Sequence, residues 1–334
     1  MLVVNAGSSS VKLRLLAADD ELVAERDLDA PHSQVDDDAL VAALDGLDAD
    51  VVGHRVVHGG TVFREAVRVD DGVLRELRGL VDLAPLHQPK SLAALDAVSR
   101  ALPDVPAVAC FDTAFHSTLP EAAYTYAIPA ALRERFGARR YGFHGLSHAY
   151  ASRRAAEMVV GASRIVTCHL GAGASLCAVL DGRSVDTTMG FTPLEGLVMA
   201  TRSGSVDPGL LLWLLERDRM TEPEMAAALE HESGLLGLAG TADMREVLER
   251  DDERARLALE VYVHRLRAGI AAMAASLGGV DALVFTGGVG ENSARVRELA
   301  CSGLGFLGVP PDHVLVIPAR EDLEIARQVR QLPN

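Results

Sequence analysis

Ile165-Val-Thr-Cys-His-Leu-Gly-Ala-Gly-Ala-Ser175, continued by Leu176-Cys-Ala-Val-Leu180, reads as strand, glycine turn, strand. Two short apolar runs flank His169, Gly171 and Gly173. Glycines let a backbone turn tightly and bring its N–H groups close to an anion, so the turn is a candidate phosphate cradle. The same grammar stands at the N-terminus, where Leu2-Val-Val-Asn5 passes through Ala6-Gly-Ser-Ser-Ser10 into Val11-Lys-Leu-Arg-Leu-Leu16. The repetition predicts a duplicated chain. At 334 residues the sequence is long for one hydrophobic core and comfortable for two lobes.

Composition narrows the partners. The chain carries 32 basic and 47 acidic residues, a formal net charge of −15, which argues against a general nucleic-acid or membrane-binding surface and makes any anion site local. Lysine occurs only at Lys12 and Lys90, so a lysine in the first glycine hairpin stands out; the plain alternative is a solvated strand-edge lysine. Cys110, Cys168, Cys177 and Cys301 form no C-x-x-C pair and sit mostly in apolar runs, as reduced core cysteines do. No charged-then-apolar signal segment opens the chain, and the apolar region 269–285 is broken by Asp281 and paired glycines, so a soluble cytoplasmic protein is expected.

The remaining chain alternates strand and helix patterns. A strand at Val51-Val52 is read as ending in His54-Arg-Val-Val-His-Gly-Gly60, and Ala107-Val-Ala-Cys-Phe111 as a strand delivering Asp112, Thr113 and His116. His87 lies between prolines ahead of a helix over 91–102, and a helix is expected to start at His148. The longest helical pattern runs over 254–277. Ala282-Leu-Val-Phe-Thr286 reads as a buried strand ending in a third glycine loop, 287–292, before a helix capped by Ser293. This alternation, with glycine-rich loops at strand ends, predicts an α/β fold with ligands beyond the strands' C-terminal ends.

None of the three glycine loops matches G-x-x-x-x-G-K-[ST] or the dinucleotide pattern, but three together point to phosphate or nucleotide contact rather than plain turns. The pairs His54/His58 and His144/His148 have zinc-like spacing. The H-E-x-x-H pattern fails, however, because Gly145 stands where the glutamate belongs, so core hydrogen bonding or charge stabilisation beside an anion is favoured. Arg55 and Arg202 are read as loop arginines whose planar forks suit carboxylate and phosphoryl oxygens, against surface salt bridges as the alternative. Asp112, at the end of an apolar run, suits magnesium or a nucleophile's positioning, or else a helix N-cap.

Taken in order, Asn5-Ala-Gly-Ser-Ser-Ser10, Gly53-His-Arg-Val-Val-His-Gly-Gly60, Phe111-Asp-Thr-Ala-Phe-His116, Tyr141-Gly-Phe-His-Gly145, Thr201-Arg-Ser-Gly204 and Phe285-Thr-Gly-Gly-Val-Gly-Glu-Asn292 resemble the acetate kinase family nearly end to end. The resemblance implies the actin-like, sugar-kinase-like ATPase fold: two duplicated ribonuclease H-like lobes and a cleft. Lobe boundaries of 1–145 (acyl and phosphate side) and 146–334 (nucleotide and dimer side) follow, with the final helix, about 321–331, packing back on the first lobe. It also implies a homodimer and reversible, magnesium- or manganese-dependent transfer of the ATP γ-phosphoryl group to acetate.

Residue by residue, the resemblance makes Asp112, His144, Arg202 and Arg55 catalytic, with Arg55 also holding the carboxylate. Asn5 and Glu321 become metal-site positions, and Val57, Leu86, Phe143 and Pro193 the acyl pocket. Ser8, Ser10 and Lys12 face nucleotide phosphates, together with His169, Leu170, Gly171, Ala172 and Gly173. Asp243, Met244 and Arg245, and Gly288, Val289, Gly290, Glu291 and Asn292, complete the nucleotide side. The chain departs from the family at Ala172, where asparagine is usual, and at Leu146, Gln88, Ala200 and Ser205; it is also shortened before Val51 and between Pro310 and Val314. A propionate or butyrate kinase, a kinase with another phosphoryl donor, and a nucleotide-binding regulator without turnover are the alternatives.

Overall fold

The structure, a computed structural model, describes residues 1–7, 10–29, 37–84 and 88–333. Its contacts divide the chain into two units, one of Met1–Ser117, Phe143–Tyr150 and Arg320–Asn334, the other of Thr118–Gly142 and Ala151–Ala319. Strands β1 (Leu2–Ala6), β2 (Ser10–Leu16), β3 (Leu22–Asp29), β4 (Val52–Val56), β5 (Val67–Arg68) and β6 (Ala107–Phe111) form one sheet in the order β3-β2-β1-β4-β6-β5. Strands β7 (Arg164–Leu170), β8 (Ala174–Leu180), β9 (Arg183–Thr187), β10 (Ala282–Thr286) and β11 (Val314–Val316) form the other, ordered β11-β10-β7-β8-β9.

The duplication is visible in these orders. In the first sheet β1 pairs antiparallel with β2 and β2 with β3, while β4 and then β6 add in parallel on the other side of β1. In the second, β7, β8 and β9 repeat the antiparallel meander, and β10 and β11 repeat the parallel additions. Both halves are therefore one five-strand unit used twice, with β5 an extra antiparallel edge on the first.

Each sheet buries its central strands on both faces, which explains why they read as continuous apolar runs rather than alternating ones. Leu2 and Val4 of β1 pack with Leu40 and Leu44 and with Ala94, Ala97 and Val98 of the helix Gln88–Ala101. Val3 points the other way, into Val108, Cys110, Ile325, Ala326 and Val329. The last three belong to the helix Glu321–Gln331, which rests on Gly53 of β4, where a side chain's Cβ would stand 2.5 Å from Ile325 Cγ2. In the second unit the 25-residue helix Glu253–Leu277 starts at Asp252, whose carboxylate accepts from the Arg254 and Ala255 N–H groups, and stops at left-handed Gly278. Gly269 brings it against β8, its Cβ position lying 2.7 Å from Leu176 Cδ1.

Several local expectations change. β4 continues through His54 and Arg55, so Arg55 is a strand residue and not a loop residue; pairing to β1 runs as far as His54, and parallel pairing to β6 carries the strand on through Arg55 to Val56. Residues 287–292 form a short helix, Gly287–Asn292, rather than a loop, because left-handed Gly287 turns the chain and the Ser293 N–H then reaches back to the Val289 carbonyl. The helix expected from His148 begins at Gly145. Ser293 caps the helix Ala294–Ser302 by accepting from the Val296 N–H. All four cysteines are free thiols, three buried and Cys301 half-buried. Among the described residues no helix is long and apolar enough to cross a membrane.

Candidate functional site

In the first unit, the C-terminal ends of β1, β4 and β6 and the start of the helix Glu321–Gln331 bring four polar side chains together. Arg55, 11% exposed at its side chain, lays Nη2 2.5 Å and Nε 3.1 Å from the carboxylate of Asp112, which is 1% exposed. Its Nη1 donates to Asn5 Oδ1 at 3.3 Å and to the Ala6 carbonyl at 3.4 Å. Asn5 Nδ2 donates to Glu321 Oε2 at 2.6 Å, and Arg55 Nε stands 3.9 Å from the same oxygen. Burial works against the Arg55 charge, but Asp112 and Glu321 outweigh it and hold the guanidinium above its ordinary range. For Asp112 burial pushes the carboxyl upward, Glu321 adds to that push, and Arg55 together with the His144 N–H opposes it. The fork of Arg55 is thus rigid, charged and aimed along a strand end.

The turn carrying His144 is locked to this cluster. The Gly145 N–H donates to the Asp112 carbonyl at 3.0 Å, and a side chain at 145 would overlap that carbonyl. His144 itself is left-handed, at φ 56°. His116 donates Nε2–H to the Phe143 carbonyl at 3.0 Å, and its ring meets that of His148 edge-on at 5.8 Å. The His148 ring lies 6.5 Å from that of His144, the other member of the pair expected from spacing, with the two planes tilted by 56°. Among the described residues no group of three His, Cys, Asp or Glu side chains forms a metal cage.

Val57 and Phe143, read as acyl-pocket walls, are both buried, and Phe143 meets the His58 ring edge-on at 5.6 Å. His58 is fixed by the Gly60 N–H donating to its Nδ1 and by Gln88, whose amide accepts from the His58 N–H and donates to its carbonyl, each at 3.0 Å. Gln88 thus does on its own what a neighbouring strand would do. Leu86 and Ser8 lie outside the described residues, as does His87. Ser10 accepts the Gly7 N–H at its carbonyl, and Lys12 is exposed on β2, opposite Asn5 on one side and Asp27 on the other.

The second unit offers backbone rather than charge. Leu170 and Ala174 close the β7–β8 hairpin as a pair, and the Gly171 N–H donates to the Gly173 carbonyl at 2.9 Å. Ala172 is exposed at the tip, and its carbonyl accepts the Ala200 N–H at 3.1 Å. Gly287 lies against Leu170, its Cβ position 2.8 Å from that carbonyl, whereas a Cβ on Gly288 would meet nothing within 4 Å. Glu291 takes the Gly287 and Ala319 N–H groups on one carboxylate oxygen, each at 2.9 Å, so it ties strand ends rather than facing outward. Val289 lies half-buried and Gly290 buried within the short helix, and Asn292 donates to the Gly288 carbonyl. Asp243 caps the helix Met244–Glu249 through the Arg245 N–H and pairs with the exposed Arg245 guanidinium; Met244 is buried. His169 is half-buried beside Gly171.

Arg202 is half-buried and donates Nη1 to the Pro193 carbonyl at 2.7 Å, with no carboxylate within ion-pair distance among the described residues. Burial lowers its proton affinity and Glu230 partly restores it. A cation held by a backbone carbonyl, in ion-pair contact with no carboxylate among the described residues, is suited to an anionic visitor. What sequence reading missed is the support for this loop. Glu195 accepts from Tyr126 and Arg140, and Gly190 leaves room for both oxygens; the signal was a lone glutamate inside a proline- and glycine-rich loop.

The acetokinase family model matches residues 35–326. The acetate kinase of Shouchella clausii is 38% identical over 394 aligned positions, covering 100% of this chain and 99% of that protein, so the 334-residue chain spans its relative while omitting internal segments. The propionate kinase of Citrobacter rodentium is 47% identical over 306 positions, with 84% of this chain and 76% of that protein covered. The crystal structure of Porphyromonas gingivalis acetate kinase superposes with a TM-score of 0.88 at 35% identity, covering 98% of each chain. The duplicated sheets, the arginine–carboxylate cluster and these likenesses agree, and the chain belongs to the acetokinase family.

Proposed function

We propose that the protein transfers the γ-phosphoryl group of ATP to acetate, reversibly, giving acetyl phosphate and ADP. The observation that carries this reading is the Arg55 fork, fixed by Asp112 at a strand end in the same unit as buried Val57 and Phe143. A planar cation suits the charge of a small carboxylate, and apolar side chains suit its methyl. A carboxylate oxygen attacks the γ-phosphorus in line as the bond to the ADP oxygen breaks, and the bonding pair leaves with ADP. No proton has to move. Such a transfer demands placement and charge compensation more than covalent help, which His144 and Arg202 supply to the phosphoryl oxygens.

Asn5, Glu321 and Asp112 fit magnesium, which takes one or two carboxylates and completes its shell with water and phosphate oxygens. When bound, it adds positive charge to the phosphate oxygens. The loops 169–173, 243–245 and 288–292, with Ser8, Ser10 and Lys12, are assigned to the nucleotide. The test is trapping of acetyl phosphate as its hydroxamate with acetate, magnesium and ATP; absence of product above an Arg55→Ala control refutes the reading. A propionate preference is the second reading, supported by the name of the Citrobacter relative, and a competition between the two acids decides it.

We further assign the exposed helix Pro208–Leu215 to a homodimer contact. None of its residues is buried, and Leu212 and Trp213 are 64% and 52% exposed, an apolar face that a monomer rarely leaves to water. A monomeric sedimentation coefficient refutes that assignment. Free thiols suit a reducing compartment and support a cytoplasmic location, which recovery in another cell fraction contradicts.

A further inference from the structure

Arg202 is aimed by a carbonyl, and that carbonyl is in turn held by a clamp absent from the roles assigned above. Pro193, whose oxygen takes Arg202 Nη1 at 2.7 Å, lies in the turn-rich stretch 188–196. Two residues on, Glu195 accepts from the Tyr126 hydroxyl at 2.7 Å and from Arg140 Nη2 at 2.8 Å. Tyr126 uses its oxygen twice, accepting the Phe191 N–H at 2.9 Å while donating to Glu195. Arg140 Nη1 donates to the Thr188 and Met189 carbonyls at 3.2 and 3.0 Å, and the Tyr141 N–H donates to the Gly190 carbonyl at 3.0 Å. The stretch is thus gripped on both sides of Pro193.

Gly190 shows that this grip is built into the packing. A side chain there would overlap Glu195 Oε2 and the Tyr126 hydroxyl, so the glycine makes the space the clamp occupies. Burial pushes the Tyr126 phenol up and Glu195 adds to the push, which keeps the hydroxyl a donor at every working pH. The Arg202 backbone is tied separately. The Met199 N–H donates to the Arg202 carbonyl, the Ser203 N–H to the Leu229 carbonyl, and Thr201 Oγ1 to the Glu230 carbonyl. These bonds fix where Arg202 starts, whereas the Pro193 carbonyl fixes where its guanidinium ends.

We infer that Glu195, clamped by Tyr126 and Arg140, is a positioning residue for phosphoryl transfer, acting through the Pro193 carbonyl on the Arg202 guanidinium. The inference rests on the reading of Arg202 as the group that meets the transferring phosphoryl. An arginine misplaced by a fraction of an ångström still binds substrates but stabilises the transition state less, so the cost falls on kcat. Glu195→Gln keeps the shape and an acceptor oxygen but loses the charge that holds Arg140; Tyr126→Phe removes the other grip.

The experiment is a double-mutant cycle on the full chain with acetate, magnesium and ATP: wild type, Glu195→Gln, Arg202→Ala and the double variant, each with its thermal midpoint. Glu195→Gln is expected to lower kcat about tenfold with the KM values for acetate and ATP within twofold, and to change kcat less than twofold once Arg202 is already alanine. Tyr126→Phe repeats the pattern and stands in if Glu195→Gln does not fold. A wild-type kcat in Glu195→Gln, or losses that multiply in the double variant, overturns the inference and leaves the functional reading intact. A wild type without turnover, or an Arg202→Ala variant as active as wild type, overturns the reading itself.

Discussion

The β1–β2 and β7–β8 hairpins occupy the same place in the same five-strand order, yet their ends carry different chemistry. β1 delivers Asn5 into a cluster in which Arg55, Asp112 and Glu321 are drawn together by charge and the Asn5 amide is hydrogen-bonded to Arg55 and Glu321. β7 delivers a turn in which Gly171, Ala172 and Gly173 are fixed by backbone bonds, to each other and to Ala200. One scaffold thus supports a site that depends on buried ion pairing and a site that depends on glycine conformation. The two should fail differently, and each prediction below presses on that difference.

The largest effect is expected at Arg55. Arg55→Ala leaves Asp112 buried without its guanidinium, and breaking one partner of a buried pair typically costs about 3–5 kcal/mol. Acetyl phosphate formation and the urea midpoint should both collapse. A variant that loses turnover but unfolds at the wild-type midpoint shows that the pair serves substrate alone and not the fold.

The second unit should separate these two outcomes at neighbouring glycines. Gly287→Ala forces a side chain into a left-handed backbone at φ 77° against the Leu170 carbonyl, at a cost of about 1–3 kcal/mol. Gly288→Ala meets only open space, so its thermal midpoint should hold while the KM for ATP rises severalfold. Equal ATP kinetics in Gly288→Ala and wild type would remove that helix from the nucleotide side.

Much of this frame was legible in the chain. Apolar runs broken by glycine announced both hairpins because central strands need apolar residues on both faces and tight turns need glycine. The cluster was less so. Asn5 and Glu321 bond across 316 positions, and nothing local to either marks the other. Arg55 looked like a loop residue because glycines and histidines surround it, yet pairing with Cys110 of β6 makes it strand. Residues 287–292 carry three glycines and still form a helix, since left-handed Gly287 and the Glu291 carboxylate on its N–H settle a turn that propensity disfavours. The clamp on Pro193 stayed hidden because its parts, Tyr126, Arg140 and Glu195, become neighbours only when folded.

Acid should also tell the units apart. His54 and His58 are buried in the first unit, and burial lowers them from an ordinary value near 6.5 to about 3 and about 4. Both stay neutral in the folded chain while the unfolded chain takes up protons. Stability is therefore full above pH 6.5 and falls as the pH drops toward 4. Between pH 7 and 5 each histidine should cost about 2 kcal/mol. His54 Nε2 has no hydrogen-bond partner among the described residues, so His54→Leu should lessen the acid loss of urea stability by about that amount. An identical loss in the variant would mean that another group carries the proton uptake.

The smallest expected effect lies at the tip of the central hairpin. Ala172 is exposed, its carbonyl takes the Ala200 N–H, and the turn is closed by Gly171 and Gly173, so the backbone does not depend on the side chain. Ala172→Asn adds a polar group without disturbing those bonds. If the turn faces the phosphoryl donor, one new hydrogen bond worth about 1 kcal/mol should lower the KM for ATP roughly fivefold. The KM for acetate, kcat and the thermal midpoint should stay in place. An unchanged KM for ATP, or a gain seen only with pyrophosphate, would detach the turn from the nucleotide. Such a change is open where backbone does the holding; at the end of β1 an edit of Asn5 would also disturb Arg55 and Glu321.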